Sequence, residues 1–309
     1  MPKKILSVGV PPIKCQGIKT KLVKFIAESI LWKGKGKWIE PFLGSGVVLF
    51  NILPERAIVG DTNKHIIRVY SDIQNKKITA SMVKDFLEEN SIKLQKEGQD
   101  YYNFIRSRFN EKGEPLDLIF LNRSCFNGIM RFNSQGNYNV PFGHKPERFR
   151  KGYITKIINQ IKWVSKILDS RDWQFLVADW RKTLSYADKN DFVYLDPPYI
   201  GRHTDYYNNW TLEEAIALSE YSKNLNCGYA LSMWLENKYR KNDHVENYWN
   251  NLDVMSFTHF YHVGSTESLR NEMQEGLIIK PKYSSVNIKP DNMKKDKNIK
   301  NEMESLFAL

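Results

Sequence analysis

Apolar positions along the chain fall into two spacings, and the switches between them outline an α/β fold. Between Lys19 and Leu31, apolar Leu22, Val23, Phe25, Ile26 and Ile30 recur on one face of a helix. After the turn Gly34-Lys35-Gly36, the run Lys37-Trp38-Ile39-Glu40-Pro41-Phe42 reads as a strand. It leads into Gly44-Ser45-Gly46 and the apolar helix start Val47-Val48-Leu49-Phe50. A second short strand, Arg56 to Gly60, ends at Asp61. Strand, glycine turn, helix, strand and acid, in that order, predict the first half of a doubly wound sheet.

From about Ile73 to Ile161 the pattern turns helical and charged, and it includes a stretch rich in Gly, Asn, Phe and Arg from Asn122 to Gly143. Strand signals then return at Trp173 to Asp179 and at Asp191 to Asp196. Leu212 to Leu225 reads as a helix with Thr211 as its N-cap and Glu213 and Glu214 in the first turn. Tyr229 to Met233 is a further strand, and Leu277 to Lys280 is predicted to pair with Val254 to Tyr261 in a terminal hairpin. The expected organisation is a Rossmann-like α/β domain in two parts, 1–72 and 161–284. A helical module, 73–160, is inserted between them, and a polar tail, 285–309, follows. No internal repeat is present.

Composition narrows the class. Hydrophobic residues make up 41% of the 309, enough for a sizeable core. No run approaches the roughly 20 apolar residues of a membrane span, and the start Met1-Pro2-Lys3-Lys4 lacks a signal peptide's apolar stretch. Three scattered cysteines, Cys15, Cys125 and Cys227, fit neither a disulfide framework nor zinc spacing, so a reducing cytoplasm is expected. The His259/His262 pair has no cysteine or acid partner nearby, and no metal site is expected. A net charge of +11 draws the protein to polyanions but by itself does not single out nucleic acid.

Two motifs carry chemistry. In Phe42-Leu43-Gly44-Ser45-Gly46, glycine allows a tight turn and close approach to a ligand. Asp61 follows at the distance where an acid ending the second strand reaches ribose hydroxyls. Leu49 stands where a dinucleotide fold wants a third glycine, which argues against NAD. Alone, this turn is equally well explained as structural. The second motif, Asp196-Pro197-Pro198-Tyr199, follows the apolar run Phe192 to Leu195 and lies at the carboxyl edge of the sheet. Its prolines fix φ and remove N–H donors, leaving rigid carbonyl acceptors. Asp196 and a proline carbonyl could accept both protons of an aromatic amine. The lone pair is then free to attack a sulfonium methyl, and oxygen dipoles stabilise the charge that develops on nitrogen. Tyr199 offers a flat face for a base, which must be flipped out of a duplex to arrive there.

Together these residues resemble the Dam-like DNA adenine-N6 methyltransferases (D12 class, with the cofactor motifs before the recognition region and Asp-Pro-Pro-Tyr after it), over roughly Pro12 to Lys280. The resemblance implies a Rossmann-like domain that uses S-adenosylmethionine and carries an inserted target-recognition domain. Phe42, Gly44, Ser45 and Gly46 resemble the first cofactor motif, with Asp61 as the ribose acid. Asp179 and Trp180 would contact the cofactor's adenine. Lys19 would pair with its carboxylate from a segment, Ile13 to Lys19, in which Cys15 replaces the family's tryptophan.

Leu121 to Asn133, continuing to Gly143, resembles the family's recognition block. It combines fork donors (Arg123, Arg131), amides (Asn127, Asn133) and apolar wedges (Phe126, Met130, Phe132). Arg131 is expected to grip guanine, while Lys145 and Arg148 are expected on phosphates. A loop from His203 to Trp210, with Tyr206 or Tyr207, would close on the base. Gly264-Ser265-Thr266 with Arg270 resembles a second DNA loop. Double-stranded DNA is the expected partner, with a cognate restriction endonuclease in some settings, and a monomer is usual in such families. An RNA adenine or guanine amino-methyltransferase, or a non-catalytic DNA-binding relative, are the alternatives.

Overall fold

A computed structural model describes residues 4–199, 210–237, 240–260 and 272–285. It centres on one sheet. In chain order its strands are β1 (Trp38–Glu40), β2 (Arg56–Asp61), β3 (Asp172–Val177), β4 (Phe192–Leu195), β5 (Gly228–Asn237), β6 (Arg240–Lys241), β7 (Asp253–Phe260) and β8 (Glu272–Ile279). In space they run β3-β2-β1-β4-β5-β8-β7, with β6 paired to the end of β5. The first five are parallel, and β8 and β7 close the sheet as an antiparallel hairpin. β1 and β4 are buried along their whole length, as central parallel strands must be. Because β2 and β3 lie to one side of β1 and β4 to the other, the strand order reverses between β1 and β4. A crevice opens at their carboxyl ends, where such sheets bind ligands.

Helices cover both faces. One face packs against α1 (Val23–Ser29), α2 (Leu49–Ile52) and α3 (Lys64–Gln74). The other packs against α8 (Trp180–Leu184), α9 (Leu212–Lys223) and α10 (Asp243–Tyr248). Trp38 of β1 stacks on Phe192 and Tyr194 of β4, at 5.5 and 5.7 Å, which aligns the two strands that frame the crevice. Thr211 caps α9 as expected, accepting from the Glu214 amide.

The inserted helices are α4 (Ala80–Glu97), α5 (Gln99–Lys112), α6 (Pro115–Ser124) and α7 (Lys151–Leu168). α7 runs past the boundary expected at 160. Its Ile157, Ile161 and Val164 join Leu87 of α4 and Tyr70 of α3 in one continuous core. The inserted helices therefore share the core of the sheet domain. Among the described residues, no helix is long and apolar enough to cross a membrane. Residues 203–209, His262, the segment 264–270 and residues 286–309, on which several expectations fall, lie outside the described residues.

Candidate active site

The glycine turn is built as a ligand-facing loop. Gly44 and Gly46 hold φ of +51° and +72°, the left-handed region that favours glycine. A Cβ on Gly46 would meet Phe50 at 2.9 Å, whereas nothing stands in front of Gly44. Asp61 reaches across from β2: Oδ2 accepts from the Gly44 amide at 2.9 Å and Oδ1 from the Asn63 amide at 2.8 Å. Burial raises its pKa, and those two amides work against the rise. Each oxygen keeps a second lone pair for a hydroxyl. Ser45, Gly44 and Phe42 line the crevice, while Gly46 lies behind its wall.

Beside this loop lies a buried charge cluster. Lys19 Nζ sits 2.8 Å from Asp196 Oδ1, donates to the Gly17 carbonyl, and lies 5.0 Å from the Tyr199 ring centroid. Among the described residues, no other group reaches the Asp196 carboxylate. Lys19 was expected on a cofactor carboxylate; here it is the partner of Asp196. Burial opposes its charge, but the negative groups around it, Asp196 first, push its pKa well above the lysine norm. Burial raises Asp196 too, with Lys19 opposing. A third acid, Glu40 at the end of β1, accepts from Trp38 Nε1 at 2.8 Å, and burial lifts its pKa to about 8. Tyr199 is buried and donates to Glu275 of β8. Asp196, Pro198 and Tyr199 line the crevice; Pro197 is buried behind them.

The far end of the crevice is aromatic. Trp180 is buried and donates to Glu214 at 3.0 Å, while Arg181 grips both oxygens of Glu214 and stacks on Trp180. Asp179 N-caps α8 and keeps a half-exposed carboxylate at the rim. Trp210 packs edge-on to Phe42 at 5.4 Å. Among the described residues, its buried indole N–H finds no acceptor. Sequence reasoning gave no site role to Glu40, Glu214 or Glu275, and it placed Trp210 only at the end of the loop expected to close on the base. Only Glu40 left a signal, as an acid ending a strand next to the glycine turn.

The recognition block borders the same crevice, whose volume is about 980 Å³. Several of its expected DNA-reading side chains face inward. Arg123 is 3% exposed, donating to the Pro12 carbonyl and to Gln160, so it is not the surface fork donor expected. Together with Asn122, whose amide brackets the backbone of Lys14 on both sides, it pins the segment that carries Lys19. Arg148 is half-buried, donates to the Arg123 carbonyl and to the Tyr153 hydroxyl, and stacks on that ring. Asn133 accepts from the amides of Gln135 and Asn137 and so shapes a turn. Met130 and Phe132 are buried, not wedges. Phe132 stacks at 3° on His65, whose pKa burial lowers to about 4. Facing outward are Phe126, 49% exposed, with Asn127 and Lys145. Arg131 is half-buried, its Nε held by Asn139 at 2.8 Å. Cys15 lines the crevice, and burial pushes its thiol pKa up.

A doubly wound sheet with a glycine turn, a ribose-type acid and Asp-Pro-Pro-Tyr around one crevice defines a Rossmann-like methyltransferase built for an exocyclic amine. The sequence pattern of the D12 class N6 adenine-specific DNA methyltransferases matches residues 16–267, and the chain belongs to that family. It is therefore an enzyme that methylates adenine in DNA, with a donor of the S-adenosylmethionine type. The chain is 32% identical over 205 residues to the Type II methyltransferase M.MjaIII of Methanocaldococcus jannaschii, covering 61% of this chain and 68% of that one. With the DNA adenine methylase of Haemophilus influenzae it shares 30% over 240 residues, covering 74% and 79%.

Proposed function

We propose that this enzyme methylates N6 of one adenine within a defined duplex site, after drawing that base into the crevice between β1 and β4. The observation that carries the reading is the buried Lys19–Asp196 pair beside Tyr199, in the same crevice as the glycine turn. Lys19 holds one oxygen of Asp196 and leaves Oδ2 to accept from the amine. The peptide carbonyls next to Pro197 and Pro198 supply the second acceptor, and Tyr199 packs against the base. As positive charge grows on nitrogen, Asp196 stabilises it in a site of low polarity. Asp196, raised by burial, is placed to hold the proton that the amine sheds.

S-adenosylmethionine supplies a methyl group on a sulfonium. The residues present suit it in two ways. Two acids, Asp196 and Glu275, act on one buried cation, Lys19, so a cationic ligand is favoured. The Trp210 N–H also lacks an acceptor among the described residues, at a cost of about 1–3 kcal/mol that a polar ligand would offset. Asp61 would hold the ribose, Gly44, Ser45 and Cys15 the methionyl side, and Asp179 with Trp180 the adenine. On the DNA side, Arg131 is assigned to guanine, Phe126 and Asn127 to the base steps and Lys145 to phosphate. The relatives' names support a setting in restriction–modification, beside an endonuclease sharing the site, or as a DNA adenine methylase. A cytoplasmic monomer fits either setting.

Sequencing DNA from an expressing host for modified adenines tests the reading. Methylation at one short motif, lost with Asp196→Ala, is the expected result. Labelled methyl entering RNA but not DNA would overturn it.

A further inference from the structure

Stacking against a base needs only a ring, yet the fourth residue of the motif carries a phenol. The Tyr199 hydroxyl donates to Glu275 Oε2 at 3.3 Å. Glu275 is 1% exposed. Its backbone is fixed on both sides, since β8 pairs it with Trp234 of β5 and Phe257 of β7. The strand continues Gly276-Leu277-Ile278-Ile279, and its apolar residues belong to the core. An acid buried in such a strand carries a desolvation cost that packing does not repay. Among the groups that answer its charge are Tyr199 and Lys19, which lie across β5 at the Asp-Pro-Pro-Tyr motif. Lys19 Nζ sits over the Tyr199 ring and on Asp196, and the negative charge of Glu275 helps keep Lys19 protonated. Four residues far apart in the chain thus form one buried array: Glu275, Tyr199, Lys19 and Asp196.

We infer that Glu275 is a positioning residue for methyl transfer. It takes the phenol hydrogen and fixes the plane of the Tyr199 ring. Through that ring it fixes the Lys19–Asp196 pair that grips the amine. The inference rests on the proposed role of Tyr199 as the platform for the base.

A double-mutant cycle tests it, with kcat and KM measured on a cognate duplex for the parent, Tyr199→Phe, Glu275→Leu and the double variant. Each single change is expected to lower kcat about tenfold, the worth of one hydrogen bond to a charged acceptor, with KM for the methyl donor within about twofold. The double variant should be no slower than the singles. Glu275→Gln keeps an acceptor and should recover most of the loss. Glu275→Leu leaves the buried Tyr199 hydroxyl without this acceptor and should lower the melting temperature, whereas the double variant, which removes both partners, should melt closer to the parent. A merely structural glutamate would show no coupling to Tyr199 in kcat. If the two losses multiply, or if Tyr199→Phe leaves kcat unchanged, the inference falls. Asp196→Ala, run in parallel, reports on the site itself: an active Asp196→Ala enzyme would sink the site assignment, whatever the cycle shows. Should Glu275→Leu melt far below the parent, Glu275→Met replaces it in the same cycle.

Discussion

At the carboxyl edge of β1 and β4, the working groups are buried and answer one another: Lys19 with Asp196, Tyr199 with Glu275, Asp61 with two amides. In the block from Asn122 to Gly143, most polar side chains also point inward, but they hold a loop in shape. Asn122 and Arg123 pin the N-terminal segment, Asn133 shapes a turn and Asn139 braces Arg131. Only a few tips face outward. A methyl transfer needs reacting atoms held to a fraction of an ångström, which buried and mutually restrained groups provide. Reading a duplex needs a few exposed contacts on a firm support.

Three changes sharpen this contrast, taken from the largest expected effect to the smallest. Asp196→Ala removes the amine's acceptor. We expect kcat to fall by about 10²–10³-fold while duplex affinity in a gel-shift titration stays nearly constant. A parallel loss of DNA binding would mean that the two regions are not separable. Arg123→Ala and Arg131→Ala, eight positions apart, should diverge. The first strips an inward guanidinium of its bonds and should cost about 2–3 kcal/mol in a urea melt. The second, half-buried and bonded to Asn139, should cost less in the melt and weaken cognate binding about tenfold, sparing unrelated duplexes. Equal melts for the two variants would contradict the inward placement of Arg123.

Glu40→Gln should change only the shape of a pH profile. The folded pKa of Glu40, about 8, lies above the 4.5 of an ordinary glutamate. Between those values the folded protein binds the proton and the unfolded chain does not, so stability is fully present below pH 4.5 and is lost as pH rises towards 8. Urea midpoints across that window should fall less steeply for Glu40→Gln than for the parent.

Much of this could be read from the chain. The strand–turn–strand–acid order placed Gly44 and Asp61, and the run into Asp196 placed the catalytic motif, because these signals are local. Boundaries set by distant partners were harder. The first helix, expected from Lys19 to Leu31, is regular only over Val23–Ser29. Ile30 pairs with Ser284, the Leu31 amide binds the Tyr283 carbonyl, and Lys19 is drawn into the ion pair. β5, expected to stop at Met233, reaches Asn237 because β8 continues beside it. Glu275 gave no signal at all, since its partner lies 76 positions away. Arg123 looked like a DNA-reading residue because composition does not say which way a side chain faces.

The crevice wall also joins two recognition events. Asn63, next to the ribose acid, caps α3 with its side-chain oxygen and touches the Met130 sulfur with its amide at 3.6 Å, while His65 two positions on stacks on Phe132. If the block from Leu121 to Gly143 meets a duplex, as proposed, these contacts would couple it to the loop at Asp61 that is proposed to hold the nucleoside of the methyl donor. Thermodynamic reciprocity then requires that whatever factor DNA applies to donor affinity, the donor applies to DNA affinity. Order of addition would be a matter of kinetics, with neither ligand the sole gatekeeper.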